Sequence, residues 1–279
     1  MLRDITIGQY YDVDSVVHKL DPRTKIIATV VYIVSLFCVK NILGFALAGI
    51  GLLTAVKLAR IPLKFILRGL KTIMVLLLFT VVLNIFLVDG TPIVKWGFIS
   101  ISKEGIYTAV FMAARLVLLI IGCSMMTLTT TPIQLTDGIE RLLRPLKKIK
   151  VPVHDIAMMM SIALRFIPIL LEETDKIMKA QTARGADFES GGLVQKAKSL
   201  IPVLVPLFIS AFRRADELAT AMEARCYHGD EGRTRMKELK YRTRDYVAKA
   251  CLLIFLVGLI LSRYLPSVTS IGAFFLSKW

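Results

Sequence analysis

Charged residues cut this chain into apolar blocks whose length and spacing constrain its fold more than any other feature. Ile26 to Val39 is uncharged between Lys25 and Lys40, and Asn41 to Val56 follows almost at once. A third block covers Thr72 to Val88, a fourth runs from about Tyr107 to Thr129, and the last spans Tyr246 to about Leu265. A hydrocarbon layer roughly 30 Å thick is crossed by about 20 helical residues. The first two blocks are shorter and form a tight hairpin, with flanking lysines that snorkel outward to make up the difference. The expected fold class is all-α: a polytopic membrane protein with about five transmembrane helices.

Hydrophobic residues make up 55% of the sequence, yet 20% is still charged, so a membrane protein with large water-exposed parts is implied. The formal charge of +15 would suggest nucleic acid in a soluble protein. Aromatic-interleaved basic patches are absent, and the lipid bilayer is the simpler partner, because cytoplasmic loops collect Lys and Arg. Lys57, Arg60, Lys64, Arg68 and Lys71 crowd the connection after the second block, and Arg141, Arg144, Lys147, Lys148 and Lys150 follow the fourth. Between Asp89 and Glu104 only Lys95 and Lys103 occur. This asymmetry puts the N-terminus inside. The expected organisation is a cytoplasmic segment 1–24, four spans within 25–130, a cytoplasmic helical module 131–245, a final span 246–265 and an external tail 266–279. No cleavable signal peptide is visible in the polar first 24 residues.

The module carries two long amphipathic stripes. Ile156, Ala157, Met160, Ala163, Leu164, Ile167, Leu170 and Leu171 follow the i, i+3, i+4, i+7 pattern, continued to Ile177 and Met178. A second stripe runs from Ala197 through Leu204, Phe208 and Phe212 to Met222. Gly191-Gly192 separates the two, and Pro132 opens a shorter helix over roughly 133–147. Glu172, Glu173, Asp175 and Lys176 argue against spanning, at about 2.5–3.5 kcal/mol per charge at mid-bilayer. Glu172-Glu173 is expected to be a solvated helix face.

Catalytic chemistry is hard to assemble. Gly192 to Ser199 approaches a P-loop, but Ala197 replaces the second glycine and a helical stripe surrounds it, so the backbone cannot wrap a phosphate. His18, His154 and His228 are scattered, and Cys38, Cys123, Cys226 and Cys251 share no metal-ligand or disulfide spacing. No catalytic residue, metal site or cofactor is expected, and the chain is expected not to be an enzyme.

The most informative feature is a duplication. The first long helix ends Asp175 … Ala180-Gln-Thr-Ala183-Arg184-Gly185, and the second ends Asp216 … Ala221-Met-Glu-Ala224-Arg225-Cys226, at an offset of 41 residues. An arginine in a last helical turn is ordinarily a capping cation worth a few tenths of a kcal/mol. Two equivalent ends suggest two equivalent sockets on a two-lobed partner. The small alanine lets a backbone approach, and the guanidinium can fork onto a carboxylate. Buried at an interface, such arginines contribute roughly 2–4 kcal/mol.

Together with four spans, cytoplasmic helices, a final span, and His18-Lys-Leu-Asp-Pro-Arg-Thr-Lys25, these motifs make nearly the whole chain resemble the transmembrane T component (EcfT/CbiQ family) of energy-coupling factor importers. The resemblance implies a non-catalytic coupling subunit in a bacterial or archaeal cell membrane, serving vitamin or micronutrient uptake. It implies two ABC-type ATPase subunits, one docked through Ala183, Arg184 and Gly185 and the other through Ala224, Arg225 and Cys226. Cys226 stands where the first motif has glycine, so the second helix stop lacks the residue that most readily turns left-handed. The resemblance also implies a small integral-membrane substrate-binding subunit across the coupling helices, for which Met158, Met159 and Met160 offer an adaptable apolar surface. The competing reading is a self-sufficient secondary transporter, with Arg115 and Asn84 as the candidate intramembrane polar residues. A membrane-bound enzyme ranks last, lacking a catalytic constellation.

Overall fold

The computed structural model describes residues 10–39, 41–87, 92–96, 99–188, 192–229 and 239–264. Lys40, Asp89, Gly191 and the expected tail 266–279 lie outside them. The chain adopts the expected all-α architecture with one small addition. The helices are α1 (Pro22–Cys38), α2 (Ile42–Ala59), α3 (Leu63–Leu87), α4 (Lys103–Thr129), α5 (Pro132–Leu143), α6 (Val153–Ala183), α7 (Leu193–Ala224) and α8 (Thr243–Tyr264). The addition is a short antiparallel pair between α3 and α4, β1 (Pro92–Trp96) and β2 (Ile99–Ser102), with Trp96 opposite Ile99.

Two boundaries differ from the sequence expectation. α3 starts at Leu63, well before Thr72, because Lys64, Arg68 and Lys71 are good helix formers that need no apolar surroundings. The short helix opens at Pro132 but gives way to a 3-10 turn over Arg144–Ile149, since Pro145 cannot donate within an α-helix.

Five described helices are long and apolar enough to cross a membrane, and they are not the five blocks of the sequence. α2, α4 and α8 qualify with mean hydropathies of 2.0, 2.2 and 2.0, and α6 and α7 qualify with 1.6 and 1.3. α1, at 17 residues, and the apolar part of α3, Ile73–Leu87, fall short on length. Length and composition alone rank α6 and α7 above α1 and α3 as spans. The chain is a multi-pass membrane protein by either count.

The described residues fall into two compact units, one within 139–238 and one made of 10–138 and 239–264. In the second, Tyr32, Leu36, Phe45, Ala48, Leu52, Met125, Leu128 and Leu259 form the core where α1, α2, α4 and α8 meet. Close approach depends on missing side chains. A β-carbon on Gly122 would lie 2.5 Å from the Tyr32 ring, and one on Gly51 would lie 2.8 Å from the Phe255 ring.

Both ends of α1 are fastened to α4 and α8 by polar groups. At the first end Lys25 Nζ donates to the Thr129 carbonyl of α4 (2.8 Å) and to the His18 carbonyl (3.1 Å). Asp245, 2% exposed, accepts from the backbone N–H of Asp21 and from that of Arg242, each at 2.8 Å. The second bond is half of a capping box at the start of α8. Asp21 in turn caps α1, accepting from Arg23 N, and takes a forked bond from the Arg23 guanidinium at 3.0 and 2.8 Å. Burial alone would raise the Asp21 carboxyl, but the bonds from Arg23 hold it below the ordinary carboxylate value. At the other end, Arg115 Nη2 of α4 donates to the Val39 carbonyl (3.1 Å), and Asn41 Nδ2 donates to the Ser262 carbonyl of α8 (3.1 Å). The His18–Lys25 motif is thus the fastening of one end of the bundle.

Candidate docking site

Both arginine motifs are built by the same helix stop. In α6 the Gly185 N–H bonds the Thr182 carbonyl (2.9 Å) and the Ala186 N–H reaches back to Gln181 (3.0 Å). In α7 the Cys226 N–H bonds Glu223 (2.9 Å) and the Tyr227 N–H reaches Met222 (3.1 Å). Each is a Schellman motif, closing the last carbonyls with one residue turned left-handed. That residue is Gly185 at φ +89° in the first case and Cys226 at φ +54° in the second. Cysteine therefore makes the same stop as glycine, at a steric cost of about 1–2 kcal/mol for its β-carbon. Arg184 and Arg225 occupy the C-cap positions with nearly identical backbone, φ −87°, ψ 6° and φ −94°, ψ 16°. Ala183, Arg184, Gly185, Ala224, Arg225 and Cys226 are all exposed.

The two helices run in opposite directions against each other. Phe166 and Leu170 of α6 face Ala211, Ala215 and Ala219 of α7, and Gln181 near the end of α6 reaches Pro202 near the start of α7. At 1.5 Å per residue the 31-residue α6 is about 45 Å long, so the two arginine tips stand on the order of 40 Å apart. At the middle, Glu173 accepts from the Ser210 hydroxyl and from Arg214 Nη2, the latter at 3.0 Å. Glu172 is exposed as expected, whereas Glu173 is only partly so and is also engaged by α7. Its neighbour in the packed helix supplies two donors that a one-dimensional stripe cannot reveal.

Prolines shape α7. Pro206 has no N–H to offer the carbonyl of Pro202, one helical turn earlier, and that freed carbonyl accepts from Gln181 Nε2 of α6 at 3.4 Å. At the opposite end lies a groove of about 610 Å³, with Met158, Ile162, Leu218 and Met222 forming its apolar lining and Arg165 and Arg225 among its polar residues. The methionine run is divided by the helical turn. Met158 lines this groove, whereas Met159 and Met160 are 59% and 43% exposed.

The remaining candidates are dispersed. Gly192 is the N-cap of α7 and Lys196 to Ser199 are already helical, so the P-loop-like stretch is a helix start. His18 bonds Ser15, and His154 pairs with Glu140 at 3.1 Å. Among the described residues no group of three or more His, Cys, Asp or Glu could hold a metal ion. Arg115 spends a donor on the Val39 carbonyl, and Asn84 Nδ2 bonds Thr80 of its own helix (2.8 Å).

Comparison with known proteins identifies the family. The family model described as cobalt transport protein, CbiQ, matches residues 14–236. The energy-coupling factor transporter transmembrane protein EcfT of Clostridium kluyveri is 58% identical over 265 residues, covering 94% of this chain and 98% of its own. The protein of the same name from Ruminiclostridium cellulolyticum is 58% identical over 264 residues (95% and 99%), and that of Bacillus subtilis is 48% identical over 263 residues (92% and 99%). With a family match across most of its length and relatives this similar from end to end, the chain belongs to the CbiQ family of transport proteins, among the transmembrane components of energy-coupling factor transporters.

Proposed function

We propose that this chain is the non-catalytic coupling subunit of its transporter, docking two ABC-type ATPase subunits, Arg184 on one and Arg225 on the other. The observation that carries the reading is the duplicated stop, two Schellman ends that hold exposed arginines in one backbone geometry at opposite ends of an antiparallel pair. A guanidinium held on a rigid helix end loses little freedom on docking, and a fork onto a carboxylate rewards that rigidity.

In this reading α6 and α7 are cytoplasmic, which the excess of Lys and Arg in the flanking loops supports. Their outward apolar side chains, including Met159, Met160, Phe208 and Phe212, support a small integral-membrane substrate-binding subunit resting across them. ATP-driven closure of the ATPase pair changes the angle between α6 and α7, and the substrate subunit tilts to release a vitamin or another micronutrient inward. The secondary-transporter reading has less to stand on, since Arg115 and Asn84 direct donors to backbone carbonyls.

Co-purification tests the reading. Membranes carrying the tagged chain with its ATPases are solubilised gently, as wild type and as Arg184→Glu/Arg225→Glu. Two ATPases per wild-type chain, lost from the double variant while membrane insertion persists, is the expected result. Normal ATPase recovery and normal uptake with the double variant would end the proposal.

A further inference from the structure

The 41-residue offset relates more than the tips of α6 and α7, and followed inward it exposes a difference between their two ends. Arg184 corresponds to Arg225, Gln181 to Met222, Ser161 to Pro202 and Arg165 to Pro206. Around the Arg184 end the positions are Gln181, Pro202 and Pro206, and there the side chain of Gln181 bridges to the carbonyl that Pro206 leaves free. Around the Arg225 end the same positions are Met222, Ser161 and Arg165, and there the helices leave the groove of about 610 Å³. The same positions make a hydrogen-bonded bridge at one end and line a groove at the other, although the docking arginines share one geometry.

The grooved end has a definite chemistry. Met158, Ile162, Leu218 and Met222 give it an apolar floor, while Arg165 and Arg225 supply cationic nitrogen and His228 an imidazole. No Asp or Glu is among the described residues that line it. Two permanent positive charges beside an apolar hollow match a segment that pairs a carboxylate with an adjacent apolar side chain. We infer that the groove beside Arg225 is a second contact for one ATPase, taking an apolar side chain flanked by an Asp or Glu, so that the two docking ends are not interchangeable. This rests on the docking function proposed above. Arg165 is the specificity-determining residue of the pair, because its counterpart at the other end is a proline.

The ATPase-to-chain ratio of the purified complex tests it, with wild type, Ser161→Trp, Arg165→Glu, Arg184→Glu and Arg225→Glu compared. Ser161→Trp fills the hollow, and Arg165→Glu reverses an exposed charge without touching the helix packing. The expected ratio falls from two to one for each of these variants, and to none when either is combined with Arg184→Glu. Retention of both ATPases by Ser161→Trp and Arg165→Glu, while Arg225→Glu drops to one, would overturn the groove contact and leave the docking reading standing. Retention of both by Arg225→Glu would instead overturn the docking reading, and the groove contact with it. If the groove variants keep both ATPases but lose co-purifying anionic phospholipid, the hollow is a lipid site and the inference is wrong.

Discussion

Glu173 of α6 and Arg214 of α7 are joined by a 3.0 Å hydrogen bond, and they stand 41 residues apart, the same offset that aligns the two arginine motifs. Equivalent positions of a duplicated helix that bond to each other lie beside a local twofold axis. The pair, with Ser210, joins α6 and α7 at positions equally far along each helix from its arginine. Both side chains are partly exposed, at 24% and 38%, so the ion pair itself contributes only about 0.5 kcal/mol to stability.

In the coupling proposed above, this pair is the pivot about which α6 and α7 change angle. Glu173→Lys sets two cations against each other at the crossing and should lower ATP-driven uptake about fivefold, the equivalent of ~1 kcal/mol of coupling, with ATPase recovery unchanged. Exchanging the pair, Glu173→Arg with Arg214→Glu, should restore most of the uptake. Equal loss in the single and the exchanged variants would exclude a pivot at this position.

Cys226 supplies a stability prediction with an internal control. Its left-handed backbone, φ +54°, matches that of Gly185 at φ +89°, and nothing lies within 4 Å of where a β-carbon on Gly185 would sit. For a side chain at position 185 the strain is therefore one of backbone conformation alone. Cys226→Gly should stabilise the detergent-solubilised protein by about 1 kcal/mol, and Gly185→Ala should destabilise it by about the same amount. Thermal unfolding monitored by circular dichroism checks both. ATPase recovery should follow neither change, because each leaves its arginine at the C-cap.

The helices and both arginine ends were legible in the sequence because they rest on local rules: apolar period, proline at a first turn, a stop after alanine and arginine. The bonds of Glu173 were not legible because a helical wheel sees only its own helix, and the partner Arg214 belongs to another. The identity of the spans was less legible for a related reason. α1 is short and α6 and α7 are apolar, so hydropathy ranks them against their expected places. The short β1–β2 pair escaped notice because a few residues beside helices carry too little alternation to read. The function of His18–Lys25 was hidden entirely, since its partners Thr129 and Asp245 are more than 100 residues away.

Asp245 tests that fastening. It is almost fully buried and accepts two backbone N–H groups, from Asp21 and Arg242. Asp245→Ala orphans both donors and should cost about 2–3 kcal/mol. Asp245→Asn keeps one oxygen acceptor and should fall between alanine and wild type. Thermal unfolding of the solubilised protein orders the three, and an alanine variant as stable as wild type would show that the α1–α8 fastening contributes nothing.

Arg115 separates the coupling reading from solo transport at the other end of α1. Its guanidinium donates to the Val39 carbonyl and lies 5.6 Å from the Phe45 ring centroid, so it closes the α1–α2 turn onto α4. A transporter using Arg115 to bind cargo would lose transport when the charge is removed, whatever the stability. A structural arginine would behave differently. Arg115→Met should lower stability by about 1–2 kcal/mol, by orphaning the Val39 carbonyl, and leave uptake per correctly assembled complex near wild type. Arg115→Lys, which keeps a cation but not the planar guanidinium, should fall between the two in stability. Uptake normalised to the amount of intact complex decides the question. Loss of normalised uptake in Arg115→Met with full recovery in Arg115→Lys would place the charge in the transport path. Near-normal uptake in both confines Arg115 to holding the hairpin.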